Sequence, residues 1–341
     1  MRNNIKSVFI LAFFLLCNLI TKAQEYKSLL GFESFVNPEI LVITNRVNGV
    51  GTTDFLNEVD TLSPLKVYSV TYIDSSFLIV PTTIKSYIQM HEVLGNEYVL
   101  FVHGDGKTFL HAAVRGLDIQ NTYGVQVIVF AWPSWRDDGQ VINNFGASLE
   151  NLKLSESHFA ALIDSVASLK EAYVKDSVQL KFSLFLHSLG NEYLPQFVAS
   201  YDSNNHVRLF NNLIINAAAV NSKGHNSWVE KLNMQENIFI NSNAKDVNLN
   251  GLRIISSYGY LMGELLVEPL ATNALYVNFS RAIGFKLPPG RSHTYYIGEH
   301  VEKSEKVKKY YSDLFHGKYP DIQDESIFTQ RKDGYGYDII Y

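Results

Sequence analysis

Residues 180–191 read Leu180-Lys181-Phe182-Ser183-Leu184-Phe185-Leu186-His187-Ser188-Leu189-Gly190-Asn191. The run from Leu180 to Leu186 is short, rich in aromatic and aliphatic residues, and predicts a strand covered on both faces, as in a parallel sheet flanked by helices. The segment after it has helical character, so Ser188 falls on a sharp turn between strand and helix. Such a turn lifts a hydroxyl clear of the sheet. It also sets the N–H groups of a helix start beneath that hydroxyl, where they can stabilise negative charge. The amide of Leu189 is the natural first donor to an oxyanion. Taken alone, the pentapeptide has a plainer reading, a serine serving as an ordinary helix N-cap.

Working outward, the same alternation of apolar runs and helical spacing fills most of the chain. Further strands are expected at Ile40 to Thr44, Lys66 to Ile73, Tyr98 to His103, Val125 to Trp132, Leu213 to Asn216, Asn237 to Asn241 and Ala274 to Phe279. Crossover helices are expected at Phe109 to Ile119 and at Ser155 to Val174, where Phe159, Leu162, Ile163 and Val166 share a face. This pattern predicts the α/β class: one doubly wound domain with a mostly parallel sheet of about eight strands flanked by helices. No internal repeat, linker or charge block divides residues 24–341. Arg136 to Asn151 is polar and reads as a long loop. Tyr258 to Leu270 reads as a buried helix, with a substrate-covering lid as the alternative. The stretch from Glu302 to Tyr341, lysine-rich at its start, reads as a solvated helix followed by aromatic-rich coil.

Composition excludes other classes. The chain has 341 residues, 46% hydrophobic and only 18% charged, which is enough apolar surface for a packed core and excludes disordered, collagen-like and coiled-coil chains. Arg2 and Lys6, the apolar run Val8 to Leu16 and the small residue Ala23 predict a secretory signal peptide over residues 1–23. The run is shorter than the about 20 apolar residues a bilayer span needs, so no membrane-spanning segment is expected in the mature chain. The expected location is periplasmic or secreted, through the Sec route. Cys17, the single cysteine, lies inside that segment, so the mature chain is expected to have no disulfide, thiol nucleophile or thiolate metal site. Removing the segment leaves 26 basic against 34 acidic residues, a formal charge of −8, with no basic stripe; a nucleic-acid partner is not expected. None of the ten histidines has a metal-ligand spacing, so neither a metal nor another cofactor is expected. His91, His111, His158, His206, His225, His300 and His316 read as surface or loop residues. Trp132 and Trp135 read as core packing, or as walls of a pocket beside the serine.

Ser188 has companions in the order acyl transfer needs. His103-Gly104-Asp105-Gly106 follows an apolar strand, and a turn there can aim the Asp105 amide at the same oxyanion. Ser292-His293-Thr294-Tyr295-Tyr296 comes after the last of these strands. Together, Val102-His103-Gly104, Trp132-Pro133-Ser134, His187-Ser188-Leu189-Gly190-Asn191 and His293-Thr294-Tyr295-Tyr296 resemble the HG, W-P-S, H-S-M-G-N and H-S-Y-Y motifs of poorly characterised bacterial α/β-hydrolases labelled esterase- or lipase-like. Ile43-Thr44-Asn45-Arg46 is similar to the strand that opens that family. The resemblance spans about residues 39–300, with 301–341 as an extension.

The resemblance implies that Ser188 is the nucleophile and His293 the general base, with Leu189 and the segment from Gly104 through Asp105 forming the oxyanion hole. His103 and His187 would orient turns. For the acid, a gapless match puts Ala244 at the family's aspartate. A loop longer by two residues puts Asp246 there, and Asn243 could orient the histidine as a neutral acceptor; Asp246 is favoured because an anion better stabilises an imidazolium. Three departures stand out: bulky Leu186 two residues before the serine, Pro195 in the second turn of the following helix, where it removes a backbone hydrogen bond and should kink or restart the helix, and Ala217 to Asn221 without the carboxylate the family carries. The implied activity is that of an exported serine hydrolase acting on a small-molecule ester or acyl substrate. A catalytically silent binding protein on the same fold is the alternative.

Overall fold

The structure, a computed structural model, describes residues 35–50, 54–73, 76–91, 96–135, 141–175, 180–200, 208–256, 259–284 and 290–340. The predicted signal segment with Cys17, and also residues 136–140, His206, Tyr258, Pro288 and Pro289, lie outside the described residues.

Strand formation follows the apolar runs. The strands are β1 (Glu39–Thr44), β2 (Arg46–Asn48), β3 (Phe55–Val59), β4 (Lys66–Ile73), β5 (Ser76–Pro81), β6 (Glu97–Val102), β7 (Gln126–Phe130), β8 (Lys181–His187), β9 (Phe210–Asn216), β10 (Gln235–Ser242), β11 (Ala274–Asn278), β12 (Phe328–Gln330) and β13 (Tyr337–Ile339). Eleven of them form one sheet in the order β12-β13-β11-β10-β9-β8-β6-β7-β1-β4-β5, while β2 and β3 pair separately. From β13 to β1 every neighbouring pair is parallel; β4, β5 and β12 add antiparallel edges. β6, β7 and β8 lie near the middle and are buried along almost their whole length, as strands covered on both faces must be. The sheet is wider than about eight strands because β5 alternates exposed and half-buried residues, and β12 and β13 are only three residues each, too short for a sequence pattern.

Helices α1 (Ile84–His91), α2 (Phe109–Tyr123), α3 (Val141–Leu154), α4 (Glu156–Lys175), α5 (Tyr193–Ser200), α6 (Val247–Ser256) and α7 (Glu305–Phe315) flank it. Thr108 caps the start of α2, accepting from the His111 amide, and Gly124 ends it in the left-handed conformation. Among the described residues no helix is long and apolar enough to cross a membrane.

Three expectations are corrected. The predicted loop from Arg136 to Asn151 contains most of α3; Asn144 and Ser148, which made it read as loop, are buried and turn inward onto Asp105. The predicted helix at Tyr258 to Leu270 is, over its described part, an irregular segment: Met262 and Gly263 donate backbone bonds to Val220 and Ala218, and this extended pairing buries Leu261 and Met262 while Leu265 stays exposed. The lysine-rich stretch is not a solvated helix. In α7, Val307, Tyr310, Tyr311, Leu314 and Phe315 form a buried stripe at helical spacing, and the lysines line the other face. The side chains of Ser183 on β8 and Asn212 on β9 donate to the Leu314 carbonyl at 2.8 and 2.9 Å and so tie the last turn of the helix to the sheet. The predicted coil beyond it contributes β12 and β13.

Phe315 packs at 5.1 Å from Phe185 and 4.9 Å from Tyr123, ring centre to ring centre, and is essentially inaccessible to solvent. Phe315→Ala is therefore expected to cost about 3–5 kcal/mol of unfolding free energy in a denaturant titration. A solvated helix would lose almost nothing.

Candidate active site

The bend after β8 is strained in the way the sequence suggested. His187 is the last residue of the strand, a short 3₁₀ turn covers Ser188–Glu192, and Ser188 itself has φ 54°, a left-handed conformation uncommon for a residue with a side chain. The surroundings over-determine it. The Ser188 carbonyl accepts from the Ala219 amide at 3.1 Å and from Asn191 Nδ2 at 2.9 Å. Leu186 does not prevent the turn, because it is still within β8, paired with Val102 and Ile215 and wholly buried. Pro195 lies in the first turn of α5, where the missing N–H costs no helix bond; the chain restarts as an α-helix at Tyr193 after the tighter turn.

Two glycines let the neighbouring loops close on the serine. A Cβ at Gly190 would lie 2.6 Å from the His103 carbonyl oxygen, so only glycine lets the elbow sit this close to the end of β6. A Cβ at Gly104 would lie 2.6 Å from Ser188 Cβ and 3.2 Å from its Oγ. Gly104→Ala is therefore expected to push the two loops apart, and a thermal melt should show the substitution as a loss of stability; an unchanged melting temperature would contradict the close approach.

His103-Gly104-Asp105 is held from the far side. His103 stacks on fully buried Trp132, whose indole donates to the His103 carbonyl at 2.9 Å; Trp132 is thus core, and Trp135 lies against Gly106. Burial pushes the His103 imidazole down to about 3, so it is neutral, and its Nδ1 donates to the Gly104 carbonyl at 2.8 Å. Gly106 and Lys107 donate backbone bonds to Ser134 of the Trp132-Pro133-Ser134 segment. The Asp105 carboxyl accepts from Asn144 at 3.0 Å and Ser148 at 2.5 Å, and burial raises its pKa. Leu189 begins a helical turn, where first-turn amides have no partner within the helix.

Arg46 was visible in the sequence only as part of the opening strand. Its guanidinium is fully buried and donates to the carbonyls of Ala131, Trp132, Lys107 and Leu56 and to the Asn57 side chain, so it ties together the loops on either side of Gly104. Burial lowers its pKa to about 9, which still leaves it charged at neutral pH. A buried charge at the end of an apolar strand is the signal that marks it.

The acid and histidine loops meet at the same end of the sheet. Asp246 follows β10 and stands at the start of α6, where one carboxylate oxygen accepts from the amides of Asn248 and Leu249 at 3.0 and 3.1 Å, an N-cap arrangement. Its other oxygen lies 2.6 Å from His293 Nδ1, and the carboxylate is fully buried. Asn243 does not reach the ring; its amide donates to the Ser292 carbonyl at 2.9 Å, while the Ser292 hydroxyl accepts from the Val247 amide at 3.0 Å. The imidazole of His293 packs against that of His187, with ring centres 4.5 Å apart, and His187 directly precedes Ser188. The structure therefore brings Ser188, Gly104, Asp105, Leu189, His293 and Asp246 to one end of the parallel strands.

The remaining histidines divide. His91 and His158 stand in helices and are buried, contrary to the surface or loop reading, and His225 stands in a turn but is buried: His91 bonds the Tyr87 carbonyl, His158 the Ser63 carbonyl and His225 the Tyr276 hydroxyl, so each is a satisfied interior group. Ala217 to Val220 is buried as well.

Compared with known families, residues 83–264, just over half of the chain, match an alpha/beta hydrolase of unknown function (DUF900). The chain belongs to this family. The match in this α/β hydrolase takes in Gly104, Asp105, Ser188, Leu189 and Asp246 and ends before His293. No curated protein and no solved structure matches the chain. Membership implies a hydrolase acting on a small molecule, and the chemistry must be argued from the site.

Proposed function

We propose that this α/β hydrolase is a serine hydrolase that cleaves a small-molecule ester through an acyl-enzyme. The observation that carries the reading is the strained Ser188, one residue after an imidazole packed on the Asp246-bound ring of His293. Ser188 Oγ attacks the ester carbonyl carbon while His293 takes its proton. His293 then returns the proton to the departing alkoxide as the carbon–oxygen bond breaks. A water, deprotonated by the same imidazole, releases the acid and restores the serine. Asp246 holds His293 with Nδ1 protonated, which leaves the other nitrogen basic. The amides of Leu189 and Asp105, with the turn at Gly104, receive the oxyanion. Burial raises the pKa of the Asp105 carboxyl, and the donors Asn144 and Ser148 hold it turned onto α3.

The same reading has the protein exported, on the strength of Arg2, Lys6 and the apolar run Val8 to Leu16; cell fractionation with N-terminal sequencing of the purified chain tests that part. The catalytic part is tested by rapid mixing with a p-nitrophenyl ester. The expected result is a burst of nitrophenolate near one equivalent per chain, abolished in Ser188→Ala. Hydrolysis without a burst that persists in Ser188→Ala would overturn the proposal.

A further inference from the structure

A buried polar chain runs from the C-terminal helix to the ring that supports His293. Tyr311 on α7 lies 2.5 Å from Asn216 Oδ1, and Asn241 Nδ2 lies 3.2 Å from the same oxygen. Tyr310 lies 2.7 Å from Asn241 Oδ1. The two tyrosine contacts have O–H···O lengths, so the phenols donate and both amide oxygens face α7. Asn216 must then turn its NH₂ the other way, where it meets His187 Nδ1 at 3.3 Å. An amide nitrogen only donates, so Nδ1 of His187 is the acceptor and the ring carries its hydrogen on Nε2. Asn216, Asn241, Tyr310 and Tyr311 are all fully buried, so each of these bonds would leave an unsatisfied group if broken.

We propose that Asn216, held by Tyr311, fixes His187 as the neutral Nε2–H tautomer and thereby makes it a positioning residue for His293. The inference deepens the serine-hydrolase reading and rests on it for its catalytic part. In that cycle His293 becomes an imidazolium. A second imidazolium with its ring centre 4.5 Å away would oppose this, whereas a neutral ring gives a firm wall at no electrostatic cost. The other groups acting on His187, besides His293, are Arg115, Lys107 and His103; together with burial they all disfavour its charged form. Tyr296 packs edge-on to the same ring at 5.1 Å and completes its cage. The segment after residue 300 is by this account part of the catalytic apparatus, although it lies outside the family match.

The test is two-bond ¹⁵N–¹H spectroscopy of the full chain labelled at histidine, with His187→Gln to assign the resonance. The expected result is one ring with a bare Nδ1 and a protonated Nε2 that does not titrate between about pH 5 and about pH 8, the range in which an ordinary histidine does. In Asn216→Asp the carboxylate can only accept, so the hydrogen should move to Nδ1. In that variant kcat should fall about 10- to 100-fold, as on losing an outer partner of a functional histidine, with KM nearly unchanged, while the buried carboxylate lowers the melting temperature. Tyr311→Phe should show a mixture of the two tautomers. A protonated Nδ1 in the unsubstituted protein, titration of His187 in that range, or an Asn216→Asp tautomer shift with unchanged kcat would overturn the proposal. Failure of Ser188 to form an acyl-enzyme would leave the tautomer result standing, which separates this inference from the reading beneath it.

Discussion

His293→Ala is expected to lower kcat on any accepted ester by about a millionfold with little change in KM, because a serine hydroxyl without its base is hardly a nucleophile and the base acts only in the transition state. The fold should survive. Asp246 keeps two backbone donors when the imidazole is removed, and the loop keeps the bonds from Asn243 to the Ser292 carbonyl and from Val247 to the Ser292 hydroxyl. The buried carboxylate is thus still partly satisfied, and the melting temperature should move far less than the rate. Steady-state kinetics beside calorimetry check this; a residual rate within tenfold of the unsubstituted protein would remove His293 from the mechanism.

Asp246→Asn is expected to lower kcat by about 10⁴-fold, the loss seen when a triad carboxylate becomes an amide and the histidine is held in the wrong tautomer. The substitution suits this site, because asparagine caps a helix about as well as aspartate, so α6 should keep its first turn and the loss can be assigned to the imidazole. Its charge also favours the positive helix start, which should cost about 0.3–1 kcal/mol on removal. Asn243→Ala is the control. It breaks a bond to the histidine loop without touching the ring, so it should lower stability more than rate. Equal rate losses in the two variants would contradict the assignment.

The choice between Asp246 and Asn243 shows where sequence reading stops. Spacing from the strand cannot settle it, because the loop between β10 and α6 is of arbitrary length. A local signal was present nonetheless: Asp246 stands immediately before Val247-Asn248-Leu249, as an N-cap residue does, and a carboxylate pinned at a helix start is a rigid one. The central strands were readable because burial on both faces keeps β6, β7 and β8 mainly apolar, and a polar residue there, such as Ser183, has its own buried partner. The elements misread are those whose polarity serves the interior. α3 looked like a loop because Asn144 and Ser148 bond a buried carboxyl, and α7 looked solvated because its lysines hid a complete apolar stripe. The buried asparagines at the ends of β9 and β10 likewise serve the interior. Being wholly buried, Asn216 and Asn241 must have partners inside the protein, and those partners come from a helix about 70 to 95 residues away in sequence.

The central claim is that the Ser188 hydroxyl is an activated nucleophile. Its most direct measurement is reaction of the purified protein with a fluorophosphonate, followed by peptide mass spectrometry. The account predicts one phosphonyl group per chain, located on Ser188, and no adduct in His293→Ala over the same interval. A folded protein that stays unmodified across neutral and alkaline pH, or that is modified elsewhere with Ser188 intact, would contradict it.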